Sequence, residues 1–151
     1  MALAGFAKLA DLDGSRKAFE GFGMPRAIAN VGPVLLSLVE IAIAGSLLFT
    51  DTSWLGAIAA LALFVLFVVQ MAYQLAKGNT PDCHCFGQVY SAPVSLMSIV
   101  RNAVFAIPAG VLVARGANGQ GAAITDPSVN TVELVLGVVV VALIVAVLAY
   151  L

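Results

Sequence analysis

Four long apolar windows constrain this chain more than any other feature. A helix that crosses a bilayer needs about 20 mostly apolar residues. Windows of that length run from about Ile28 to Thr50, Trp54 to Ala76, Val94 to Ala114 and Thr131 to Leu151. Backbone groups in lipid must be satisfied within the segment, so the windows read as helices and not as strands. The Val-rich last window is strand-like by propensity, but its length decides for helix. Composition agrees. The 151 residues are 62% hydrophobic and only 10% charged, against about 25% charged in a soluble domain. That excludes an ordinary soluble domain and a disordered chain. Seven Lys+Arg against eight Asp+Glu leave no basic surface for nucleic acid. The expected fold is all-α, a single membrane domain over residues 1–151: a polytopic transmembrane bundle of four spans.

The connections are short. Asp51-Thr52-Ser53 is the expected turn of an antiparallel hairpin between the first two windows. Residues 77–93 form the longest ordered-looking loop. Gly116 to Asn130 reads as a flexible surface loop. Trp54, Tyr73, Tyr90 and Tyr150 lie near window ends, as an aromatic belt requires. Pro108 is expected to kink the third window. Residues 8–26 carry Lys8, Asp11, Asp13, Arg16, Lys17, Glu20 and Arg26, which places them in water or at the interface. The N-terminal segment is therefore either a short interfacial helix or a truncated first span.

With four spans, the N-terminal segment and the 77–93 loop share one side of the membrane. That side holds Lys8, Arg16, Lys17, Arg26 and Lys77; the other holds Arg115. The positive-inside rule puts the more basic side in the cytoplasm.

The sharpest chemistry lies in Asp82-Cys83-His84-Cys85-Phe86-Gly87. In an extended chain Cys83 and Cys85 point the same way. A disulfide between them needs a tight turn, and so small a ring is strained. Strained, exposed disulfides exchange readily. Pro81 and Gly87 supply turn chemistry. His84 can lower a neighbouring thiol pKa and carry protons. Three readings stay open: a thiol–disulfide pair with Cys83, Cys85 and His84 as the reacting set, a metal site made of the same three residues, or a static staple. Adjacent residues rarely wrap one tetrahedral ion alone, so a metal would call for a fourth ligand such as Asp82.

A polar cluster accompanies the loop. Glu40, Gln70, Gln74, Arg101 and Asn102 lie inside or near the ends of apolar windows. Intramembrane ionisable groups are costly and point to function. Counted from Pro33 and from Val94, Glu40 and Arg101 each lie roughly 10 Å down their helices at 1.5 Å per residue. The two are expected to pair below the Cys loop. Gln70 and Gln74 share one face of the second helix. The cluster is either a pocket for a quinone head group or for protons, or a buried pair that sets bundle geometry with polar side chains as interhelical glue.

Taken together, Lys8, Phe22-Gly23, Leu38-Val39-Glu40, the Cys-His-Cys-Phe-Gly run and Arg101-Asn102 resemble the MauE family of methylamine utilisation, which sits with the DoxX-like membrane proteins. The similarity covers about the whole chain. The resemblance implies a multi-pass inner-membrane protein that helps mature the disulfide-rich small subunit of methylamine dehydrogenase in the periplasm. It also implies disulfide handling in the cell envelope, with a thioredoxin-like protein or a secreted client as partner and lipid as surroundings. Relatives carry a full span before the Lys8 region and often Gly between the cysteines, where this chain has His84. The expected function is membrane thiol–disulfide exchange, which leaves open whether the chain turns over as an oxidoreductase. Its rivals are a non-catalytic assembly subunit and a Cys/His metal-handling protein. A bilayer quinone could accept the electrons, although no motif marks a site for one.

Overall fold

A computed structural model of the chain describes residues 1–83 and 92–116. The described part is helical, with one small ribbon. Its elements are α1 (Ala2–Ala10), α2 (Leu12–Gly21), α3 (Arg26–Ser46), α4 (Thr50–Ala76), β1 (Asp82–Cys83), β2 (Ala92–Pro93) and α5 (Leu96–Arg115). Three helices, α3, α4 and α5, are long and apolar enough to cross a membrane. They match the first three expected windows. The fourth window, 131–151, and the Gly116–Asn130 loop past Gly116 lie outside the described residues.

Side-chain placement is that of a protein solvated by lipid. Large apolar side chains such as Leu35, Leu66, Val69 and Ile107 are about 60% exposed. Many of the buried positions are small: Ala29 and Ser37 on α3, and Ser53, Gly56, Ala57 and Ala60 on α4. Without a hydrophobic drive between helices, small residues let backbones approach and dispersion hold them. In water this much exposed apolar surface would aggregate.

α3, α4 and α5 alternate in direction, and α4 packs against both neighbours. Phe64 stacks on Phe105, and Trp54 Nε1 donates to Val113 O at 3.3 Å, tying the start of α4 to the end of α5. The α3–α4 turn falls at Leu47–Phe49, earlier than the expected Asp51-Thr52-Ser53. Those three residues open α4 instead. Asp51 in the first turn complements the helix dipole, and the Thr52 hydroxyl donates to Ser46 O at 2.8 Å across the turn.

Pro33 does not mark the beginning of α3. The helix starts at Arg26, after Pro25 in extended backbone, and runs through Pro33, whose carbonyl accepts from the Ser37 hydroxyl at 2.8 Å. Pro108 likewise lies inside α5.

The N-terminal segment departs most from expectation. It forms two helices broken at Asp11, whose side chain caps α2 by accepting from Gly14 N at 3.0 Å. Both pack on α3. Phe19 of α2 covers Gly32, where any Cβ would enter the ring. Gly5 of α1 sits so close to α3 that a Cβ would lie 2.9 Å from Ile41 Cγ1 and from Ser37 O. Met1 packs on the Ile43–Ala60–Ala109 cluster. α1 lies along the far half of α3, with Ala4, Gly5 and Lys8 buried and Leu3 and Phe6 exposed. The reason is the Ala4, Gly5, Lys8 face, whose small residues permit close contact and whose cation meets a carboxylate.

Candidate functional site: a cysteine ribbon above a buried ion pair

The expected positions divide into three groups. The first is the ribbon. Asp82 pairs with Pro93 and Cys83 with Ala92 in antiparallel register, and Val94 N donates to Pro81 O at 2.9 Å. The ribbon thus sets Cys83 directly across from Ala92. His84 and Cys85 lie outside the described residues. Pro81 rests against Gly21 at the end of α2. Gln74, buried near the end of α4, donates to Phe22 O at 2.8 Å and accepts from Asn79 Nδ2 at 3.3 Å. Below the ribbon, Met71 and Val94 form a cluster with Phe22, Phe67 and Ile99. The end of α2 meets the ribbon directly, through Gly21 and Pro81, and Gln74 ties the end of α4 to the same place through Phe22. Cys83 and the ends of α2 and α4 share one face of the bundle, as expected for the 77–93 loop and the N-terminal segment.

The second group is an ion pair. Lys8 Nζ donates to both Glu40 carboxylate oxygens, at 2.8 and 2.9 Å, with side chains 6% and 3% exposed. The expected Glu40–Arg101 pair is not formed. Measured from Arg26, Glu40 is roughly 21 Å down α3, whereas Arg101 is roughly 8 Å down α5. The two differ in depth, and α4 stands between their helices. Lys8, placed by sequence in water, is the partner. A signal was available: Lys8 is the only charge in an apolar helix, one turn from Ala4 and Gly5, and a membrane-buried carboxylate demands a cation.

The third group is polar and lies on α5. Ser98, Arg101 and Asn102 are buried along one face of that helix. Asn102 Nδ2 donates to Ser98 O at 2.9 Å, so it serves its own helix. Gln70 stands apart from these. It lines a cavity of about 410 Å³ between α2, α3 and α4 that also meets Lys8, Ser15, Phe19 and Phe67. Glu40 and Gln70 are thus linked through Lys8, which pairs with Glu40 and lines the cavity with Gln70, while Arg101 and Asn102 lie on the α5 face. Among the described residues no three His, Cys, Asp or Glu side chains gather as a metal site. The alternative Cys83–His84–Cys85 ligand set extends outside those residues.

Fold and site define a multi-pass helical membrane protein with an intramembrane ion pair and a cysteine-bearing ribbon at one end. The chain belongs to the MauE family: the family model described as methylamine utilisation protein MauE matches residues 1–115. The methylamine utilization protein MauE of Paracoccus denitrificans is 34% identical over 82 residues, which is 54% of this chain and 44% of that protein. The match spans under half of that relative's length. No solved structure matches the chain.

Proposed function

We propose that this MauE-family protein acts in the inner membrane of a methylamine-utilising cell, supporting thiol–disulfide exchange while an envelope protein matures. The observation that carries the reading is the anchored ribbon. It sets the backbone at Cys83 beside the end of α2 and the start of α5, so a pair formed with Cys85 would sit at that end of the bundle. A client thiolate attacks one sulfur of a Cys83–Cys85 disulfide. That S–S bond breaks, a mixed disulfide forms, and the other cysteine leaves as a thiolate and takes a proton. The client's second thiolate then attacks the mixed disulfide. The client ends with a disulfide and Cys83 and Cys85 end as thiols, so two electrons have passed to the pair. His84 carries the proton between the sulfurs and water. The disulfide-rich small subunit of methylamine dehydrogenase is the client class that the family implies.

The test is client oxidation in cells carrying Cys83→Ser or Cys85→Ser. Each change alone should abolish it, because the exchange needs an attacked sulfur and a leaving sulfur. Maturation that survives both changes assigns the chain to a scaffold role. Stoichiometric zinc or copper in the purified protein, lost on His84→Ala, assigns the loop to metal handling.

A further inference from the structure

The cavity between α2, α3 and α4 is not used by the exchange chemistry, and its construction is specific. Its size, about 410 Å³, falls in the roughly 300–1,000 Å³ range of small-molecule sites. Its rim includes Leu35 and Leu66, which are 59% and 60% exposed on the lipid-facing surface. A ligand therefore enters sideways, from the bilayer. Phe19 and Phe67 supply flat apolar walls. Gln70 brings a carboxamide to this lining. A carboxamide N–H can donate to a ligand carbonyl.

From this we infer that the cavity binds a membrane quinone, with a ring carbonyl accepting from the Gln70 carboxamide and the ring between Phe19 and Phe67. A quinone suits the lining better than a phospholipid head group does. The one cation at the cavity, Lys8, is already neutralised by Glu40, so nothing there calls for a phosphate. The cavity also adjoins the ribbon. Phe22 lines it and follows Gly21, which touches Pro81, two residues before Cys83. The quinone's role rests on the exchange function proposed above. Two thiols at Cys83 and Cys85 lose two electrons and two protons and form one S–S bond, while the quinone gains both and becomes the hydroquinone. The pair is then ready for another client.

The test uses the purified full chain in nanodiscs and a photoreactive azidoquinone, with decylubiquinone as competitor. Labelling should fall on peptides carrying Phe19 or Phe67–Gln70. Decylubiquinone should displace it, and excess phosphatidylglycerol should not. Gln70→Leu should weaken binding by about tenfold, the scale of one lost hydrogen bond. Leu66→Trp, on the lipid-facing rim where folding is not at stake, should block binding by filling the cavity. The Cys83→Ser/Cys85→Ser double variant should bind as the unaltered protein does, because binding does not use the sulfurs. Labelling that is absent, unaffected by both Gln70→Leu and Leu66→Trp, or displaced by phosphatidylglycerol overturns the inference. The two readings fail separately. Client oxidation that needs both cysteines without quinone binding leaves the exchange function standing. Quinone binding with cysteine-independent maturation leaves only the site.

Discussion

Lys8 Nζ reaches both oxygens of the Glu40 carboxylate, at 2.8 and 2.9 Å, and this contact joins α1 to the far half of α3. Two charges have been withdrawn from water, and each makes the other tolerable. Taking two ions out of water costs several kcal/mol each, which close pairing offsets. Lys8→Met or Glu40→Leu alone strands one charge and should destabilise the protein by about 3–5 kcal/mol. The double variant, apolar at both positions, should lie near the unaltered protein. Denaturation in detergent, read as a double-mutant cycle, measures this. Single variants as stable as the parent would mean the pair does not hold α1.

Gly5 makes that contact possible. A side chain there meets Ile41 Cγ1 and Ser37 O at 2.9 Å. Gly5→Val should push α1 off α3 and cost about 1–3 kcal/mol, as overpacking does. Gly45→Ala is the control, because its Cβ meets nothing within 4 Å. Protease cleavage between α1 and α2 should speed up in the first variant and stay unchanged in the second.

Gln74 ties the end of α4 to Phe22, whose side chain packs under the ribbon. Its amide donates to Phe22 O at 2.8 Å while its oxygen accepts from Asn79. Gln74→Leu leaves the part-buried Phe22 carbonyl without that donor and should cost about 1 kcal/mol. Hydrogen exchange at Val94 N, which donates to Pro81 O, should speed up. Unchanged exchange would show that the ribbon is held by its apolar cluster alone.

Sidedness has its own test. Burial of Lys8 removes it from the charge tally, leaving Arg16, Lys17, Arg26 and Lys77 toward the ribbon end against Arg115. That balance still favours a cytoplasmic ribbon, whereas exchange with an envelope client needs the opposite side. We expect a membrane-impermeant maleimide to label Cys83 and Cys85 in spheroplasts only after prior reduction. Labelling that appears only once the membrane is broken places the pair in the cytoplasm and ends the envelope reading.

Much of the architecture was legible locally. Hydropathy and length located α3, α4 and α5 to within a few residues, because a spanning helix must satisfy its own backbone and show lipid an apolar surface whatever its neighbours are. Sequence order then placed the ends of α2 and α4 beside Cys83, since short turns force antiparallel neighbours. Glu40 also stood out, as any carboxylate in hydrocarbon does. Its partner did not. That depended on α3 running through Pro33 from Arg26, which lowers Glu40 past Arg101, and on α4 standing between the two helices. It depended too on α1 folding back along α3 through Gly5, which brings Lys8 from an expected place in water into the bundle. The cavity beside Gln70 is of the same kind, built from three helices at once. Burial and pairing are properties of helix surfaces in contact, and tertiary packing alone decides which surfaces meet.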